Sequence, residues 1–168
     1  MSKLTAYVWT IAALGVALLV VAVVSTSRDQ LLGHDPAAFV ALGTFLVLAE
    51  LRPIPWFRNG ERGHLTASWT FAFATLLLAP LGGALAVTAI ATIVGEVSQR
   101  KRIDRCAFNL GQVMLSLGAS AAVLHATGMT STLAKGGHPS PLWMVAVVIA
   151  AISVFFVNGL LCGIVLAL

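Results

Sequence analysis

Four side chains bring polar chemistry into an apolar part of the sequence: Glu50, Glu96, Asn109 and Gln112. Asn109 and Gln112 are three residues apart, so they share one face of a helix, and both amides can donate hydrogen bonds. We expect Glu96 to accept these bonds, because an unpaired polar group in an apolar medium costs several kcal/mol. Since such bonds between helices are worth only about 0.6 to 2 kcal/mol in a membrane, they indicate helix orientation rather than catalysis.

The two glutamates differ in their neighbours along the chain. Glu50 is followed by Arg52, which is typical of a carboxylate at the end of an apolar segment beside an arginine. Glu96 comes shortly before the most basic stretch, residues 100–105, whose cations could keep the carboxylate ionised. A structural and a functional role both stay open for Glu96.

Other residue types that carry chemistry show no useful spacing. The four histidines lie in separate segments, and Cys106 and Cys162 have neither metal nor redox spacing. The sequence contains no phosphate loop and no Ser/His/Asp or Cys/His arrangement. We therefore expect no metal, no cofactor and no catalytic residue in this chain. Gly159 and Gly163 form a small-residue pattern that predicts a packed helix face, within one chain or between two copies in a homodimer.

The composition shows which elements must position these residues. Hydrophobic residues make up 59% of the chain and charged residues 10%, against about 25% charged in soluble domains. Continuous apolar runs predict membrane-spanning helices, whereas a β-barrel needs alternating polarity. We predict an all-α, polytopic transmembrane helical bundle of about six spans, forming a single domain over residues 1–168. The runs cover residues 6–24, 36–51, 66–79, 84–97, 106–124 and 141–168.

The third and fourth runs are short, at about 14 residues against the roughly 20 that cross a bilayer. Either they extend into their flanks, or they form a hairpin in a locally thinned membrane, or they form a re-entrant helix pair. Pro80, Gly82 and Gly83 separate them, and we expect a hinge there that leaves both segments less anchored than the others. Residues 56–64 are predicted to form a polar loop whose Trp56 and Phe57 suit the membrane interface.

Basic residues are distributed unequally between the two sides that six spans would create. Because Lys and Arg favour the cytoplasmic side, this bias predicts that both ends are cytoplasmic. It also accounts for the net charge of +4 without a nucleic-acid surface. No charged residue follows the last run, so we expect the protein to continue into a cytoplasmic part. Eight basic residues share the side of the N-terminus, namely Lys3, Arg52, Arg58, Arg62, Arg100, Lys101, Arg102 and Arg105, and two lie opposite, Arg28 and Lys135.

Four strings between Glu50 and Gln112 carry a family resemblance: ELRPI at 50–54, LTASWTF at 65–71, LLAPLGGA at 77–84 and RIDRCAFNLGQ at 102–112. The last string, a basic loop and then Phe-Asn-x-x-Gln opening a helix, is the most specific. Together they resemble the N-terminal membrane-sensing region of bacterial signalling proteins whose cytoplasmic part is a GGDEF, EAL or HD-GYP domain. The resemblance extends over residues 50–124, roughly half of the chain.

This resemblance implies a sensory input domain in the bacterial cytoplasmic (inner) membrane, on a protein that controls cyclic di-GMP turnover. The nucleotide chemistry would lie wholly in a cytoplasmic output domain in cis, and any enzymatic activity with it. Glu50, Asn109 and Gln112 are the family-like polar positions, and with Glu96 they form a candidate coupling cluster. Membrane lipids and a second copy of the chain are the other expected partners, and no nucleic acid is expected.

Two alternatives belong to other classes. A six-span substrate-binding subunit of a vitamin-type transporter suits the length, but it needs polar groups converging on an outward-facing pocket. Here the polar residues of the spans lie toward the cytoplasmic side. A purely structural membrane anchor is the other alternative. The coding sequence downstream of Leu168 separates these, since an output domain favours the sensor and a stop codon favours the transporter subunit.

The predicted topology is testable by cysteine accessibility. A Gly60→Cys variant should stay unlabelled when intact cells are treated with an impermeant thiol reagent, because residues 56–64 are assigned to the cytoplasmic side. Labelling of position 60 from outside would contradict the topology.

Overall fold

The computed structural model describes residues 2–52, 54–58, 61–65, 67–128 and 141–168. Four of the helices in these ranges are long and apolar enough to cross a membrane, which indicates a membrane protein. The other two have 16 and 11 residues and are about 24 and 17 Å long, short of a hydrocarbon core of about 30 Å. The helices are α1 (Lys3–Ser25), α2 (Pro36–Leu51), α3 (Ser68–Leu78), α4 (Leu81–Ser98), α5 (Ile103–Ala126) and α6 (Pro141–Ala167).

The connection between α2 and α3, predicted as a polar loop at residues 56–64, contains a β-hairpin that was not predicted from the sequence. β1 (Ile54–Arg58) pairs antiparallel with β2 (Glu61–Leu65), and Arg58 lies opposite Glu61. The dipeptide Asn59-Gly60 between the two strands favours, as a sequence pattern, a two-residue hairpin connection. The side chains of Trp56 and Phe57 lie outside the described part of the chain, so their interfacial placement stays a prediction.

Contacts between helices show that successive helices alternate in direction. α1 and α5 run parallel, since Gly15 meets Gly111 and Leu18 meets Gly118. α6 runs antiparallel to α5, since the Ser120 hydroxyl donates to the Ala150 carbonyl at 2.9 Å. The starts of α1, α3 and α5 and the ends of α2, α4 and α6 therefore lie at one end of the bundle. We call it the basic end, because it carries Lys3, Arg52, Arg100, Lys101, Arg102 and Arg105.

The residues expected to form a hinge are instead close packing contacts. α4 begins at Leu81, directly after Pro80, and its 18 residues extend the predicted run at both ends. Gly82 and Gly83 lie in its first turn: an added Cβ on Gly82 would lie 2.5 Å from the Ala22 carbonyl oxygen of α1, and one on Gly83 would meet the Leu31 carbonyl. α4 is also the most buried of the four long helices, since 56% of its 18 residues are buried inside the bundle. The expectation that α4 is weakly anchored was therefore wrong.

A second close contact joins α1 to α5. A Cβ on Gly111 would lie 2.7 Å from the Cα of Ala12, so the two helix backbones touch where only hydrogen fits. Small residues permit this approach, and the resulting van der Waals contact is a main source of helix association in membranes. The contact fixes the start of α5 against α1.

We predict that Gly111→Ala lowers the free energy of unfolding by about 1 to 3 kcal/mol, because overpacking forces the backbones apart. Gly163→Ala is the matched control, since nothing lies within 4 Å of its added Cβ. With the protein diluted to the monomer, the control should be neutral or stabilising, because alanine favours helix by about 1 kcal/mol over glycine. Titration of the purified protein with SDS measures both, and equal effects would contradict the assigned contact.

Candidate functional site

Glu96 is held by two donors near the end of α4. Its carboxylate Oε1 accepts from the Lys101 ammonium at 2.8 Å and from the Asn109 side-chain amide at 3.0 Å. Glu96 is only 7% exposed. A buried carboxylate is costly unless a cation and hydrogen bonds satisfy it. Both donors are therefore integral to the packing of α4 against α5.

The backbone at the end of α4 explains how Lys101 reaches Glu96. The Lys101 amide donates to the Glu96 carbonyl at 3.2 Å, and the Arg100 amide donates to the Val97 carbonyl at 3.0 Å. This pair of bonds is the Schellman motif, which needs a left-handed residue just past the helix. Arg100 takes that role with φ of 52°, a position that usually carries glycine. The motif folds Lys101 back beside the residue whose charge it neutralises.

The two amides of α5 have different partners. Asn109 donates to Glu96 as expected, but Gln112 donates to the side-chain oxygen of Asn158 on α6. The expectation that Glu96 accepts from both amides was therefore wrong for Gln112. Gln112 lies nearly a turn deeper in the bundle, where α6 is the facing helix. Asn158 was not among the predicted site residues, although an amide inside a 27-residue apolar helix is itself a signal.

Glu50 lies at the end of α2, facing α4 rather than its expected neighbour Arg52. Its Oε2 would lie 3.0 Å from a Cβ on Gly95, so the missing side chain of Gly95 makes room for the carboxylate. The buried Ser68 hydroxyl at the start of α3 hydrogen-bonds to Glu50. Among the residues that the structure describes, the ion pairs are Lys101–Glu96 and Arg102–Asp104, so Arg52 is not paired with Glu50.

These side chains surround one cavity of about 230 Å³ at the basic end. Residues of α2 to α6 line this cavity. Six of the lining side chains are charged or are hydrogen-bonded to one another, and we call them the polar cluster: Glu50, Glu96, Lys101, Asn109, Gln112 and Asn158. Within the described ranges, Glu96 Oε2 is buried without a hydrogen-bond partner. The complete lining is Glu50, Trp69, Thr92, Glu96, Gln99, Lys101, Asn109, Gln112, Val113 and Asn158.

The chemistry of this cavity is that of exchangeable hydrogen bonds. It holds two carboxylates, one ammonium and amide groups, which can bind a small polar molecule or change partners. In the described part of the chain, no group of three His, Cys, Asp or Glu side chains could hold a metal ion. The arrangement suits recognition and helix positioning.

The predicted helix face at Gly159 and Gly163 has no partner among the residues that the structure describes. Both glycines are exposed, and no atom lies within 4 Å of an added Cβ at either one. The predicted packing within one chain was therefore wrong, because α5 contacts a different face of α6, the one carrying Ala150 and Asn158. Packing against a second copy stays a prediction.

No protein-family model matches this chain, and no curated protein or solved structure is detectably similar to it. The arrangement of the side chains and the sequence resemblance described above are therefore the observations that bear on function.

We predict that Lys101→Met lowers the free energy of unfolding by about 1 to 3 kcal/mol, because it leaves the Glu96 carboxylate buried without its cation. The upper range for a fully buried pair is about 3 to 5 kcal/mol, and the 33% exposure of the Lys101 side chain reduces it. The double variant Glu96→Gln/Lys101→Met should recover most of the loss. SDS titration of the four proteins gives the coupling energy.

The matched control is Arg102–Asp104, an ion pair whose side chains are 77% and 43% exposed. Its coupling energy should stay below about 1 kcal/mol, as is usual for surface pairs. Equal coupling in the two pairs would show that Glu96 is not held as the structure indicates.

Proposed function

We propose that this chain is the membrane-embedded sensory and anchoring input part of a bacterial signal-transduction protein that controls cyclic di-GMP turnover. In this proposal the bundle crosses the cytoplasmic membrane several times, with its basic end facing the cytoplasm. The output chemistry belongs to a cytoplasmic domain in cis. The positive charge of the basic end supports this orientation.

One observation carries the proposal. The three family-like polar positions, Glu50, Asn109 and Gln112, are far apart in the sequence but line the same cavity. Polar residues that serve only to pack separate helices need not line the same cavity. Their convergence supports a common role, which we assign to sensing or transmitting a signal.

The connection of the polar cluster to α6 supports a coupling role. Gln112 links α5 to Asn158, and the Tyr7 hydroxyl links α1 to the Leu161 carbonyl at 3.1 Å. Beyond these bonds α6 continues to the basic end, where an output domain would follow. A stimulus can shift such a bundle only by its differential affinity for two packings. Bonds of about 1 kcal/mol each are small enough to exchange in that shift.

We predict that replacing Asn109 and Gln112 together by Leu changes basal output without preventing membrane insertion. The variant removes the donors that connect α5 to α4 and to α6, so the balance between packings should move. The measurement is the cellular cyclic di-GMP concentration with the full-length protein, beside its amount in the membrane fraction.

The control is Thr10→Leu/Thr44→Leu, which removes two exposed hydroxyls that donate only to carbonyls of their own helices. The control should leave cyclic di-GMP unchanged. If the Asn109/Gln112 variant inserts normally and its output also equals that of the parent protein, the cluster is purely structural and the coupling role is wrong.

A further inference from the structure

A second and larger cavity, of about 470 Å³, opens at the basic end between α1, α5 and α6. Its lining combines two chemistries. One part is charged and comes from the start of α5, and the other is apolar and comes mainly from α1 and α6. The lining residues are Lys101, Arg102, Asp104, Arg105 and Asn109, with Leu4, Val8, Phe108 and Val165.

The charged part carries an excess of positive charge. Lys101, Arg102 and Arg105 line it with one carboxylate, that of Asp104, and Lys101 is also paired with Glu96, so one positive charge is left without a counterion. The Arg102 guanidinium donates two hydrogen bonds to the Asp104 carboxylate, at 3.2 and 3.1 Å. Arg105 is exposed and makes no ion pair with the residues that the structure describes. The cavity therefore has a net attraction for an anion, and the first turn of the 24-residue helix α5 adds its dipole to it.

The apolar part lies directly beside these cations. Leu4 and Val8 are four residues apart, so they share one face of α1, and Val165 faces them from α6. Phe108 is buried and closes the inner side against Tyr7, with ring centroids 6.2 Å apart. A small soluble anion gains no binding energy from an apolar surface, whereas a lipid acyl chain would bury this surface.

We propose that this cavity binds an anionic phospholipid, with the phosphate at Arg102 and Arg105 and an acyl chain along Leu4, Val8 and Val165. Basic pockets between membrane helices recognise anionic headgroups in this way. The proposal rests on the membrane location of the bundle but does not depend on a cyclic di-GMP output.

Lys101 connects the lipid cavity to the polar cluster, because it lines both. A phosphate in the lipid cavity competes with Glu96 for the Lys101 ammonium, which now lies 2.8 Å from the carboxylate. Lipid binding would thus weaken the bond that holds Glu96. This gives the composition of the membrane a direct route to the helix contacts of the bundle.

The test is native mass spectrometry of the full chain in detergent, titrated with dioleoyl phosphatidylglycerol or with dioleoyl phosphatidylcholine. We expect phosphatidylglycerol to bind in preference to phosphatidylcholine. Arg102→Gln/Arg105→Gln should weaken phosphatidylglycerol binding roughly 10- to 30-fold, given about 1 kcal/mol for each cation. Arg28→Gln/Arg52→Gln removes the same charge at two exposed positions outside the cavity lining and should change binding less than about 3-fold.

Two further arms separate a lipid site from a phosphate site. Val165→Trp fills the apolar part without changing charge and should also weaken phosphatidylglycerol binding, whereas glycerol 3-phosphate should not compete with the lipid. Equal binding of the two lipids would overturn the proposal. So would equal losses in the two double arginine variants, or full competition by glycerol 3-phosphate.

Discussion

Burial of the Glu96 carboxylate is the constraint on which the packing at the basic end depends. The side chains around it must supply a cation and hydrogen bonds. The carboxylate lies near the C-terminus of α4, where the negative end of the helix dipole already disfavours an anion. Burial adds a desolvation cost of several kcal/mol. The Lys101 ammonium and the Asn109 amide offset these costs, but only with Arg100 in the left-handed region and α5 beginning at Ile103. One charge thereby sets the turn between α4 and α5 and the register of the two helices.

The bundle is held together in two different ways along its length. Backbone contacts at Gly82, Gly83 and Gly111 leave no space for a side chain, so they permit one arrangement. The polar cluster at the basic end can accept a further hydrogen bond, since one carboxylate oxygen of Glu96 has no partner among the described residues. Side chains there can exchange partners while the glycine contacts stay fixed. This contrast places the exchangeable contacts at the basic end of the bundle.

Local features of the fold followed from the sequence, and features that depend on distant partners did not. The run at 36–51 has the same bounds as α2, because Asp35 caps its start and Arg52-Pro53 ends the apolar pattern. The Glu96–Asn109 contact followed from helix-face spacing and the cost of unpaired groups. The Gln112–Asn158 contact could not be predicted, because spacing alone does not say which helix faces α5.

Other features could not be predicted because the residues involved have a different role here from the one that their type usually indicates. Gly82 and Gly83 resemble a hinge in sequence, and only the positions of α1 and of Leu31 show that they are contacts. The approach of Lys101 to Glu96 depends on a left-handed arginine, which no propensity indicates. The hairpin, by contrast, had a signal in Asn59-Gly60 that a search for apolar segments overlooks.

The Lys101–Glu96 distance in a lipid bilayer is the decisive measurement of how the buried Glu96 carboxylate is held. The sequence has three lysines, at 3, 101 and 135, and three glutamates, at 50, 61 and 96, so labelling both types isotopically gives a simple spectrum. Solid-state NMR between ¹⁵Nζ-lysine and ¹³Cδ-glutamate should then detect one close pair, since the N–O distance of 2.8 Å places the two labelled atoms within about 4 Å. The signal should vanish in Lys101→Met. Absence of any such pair in the parent protein, or its persistence in that variant, would contradict the account.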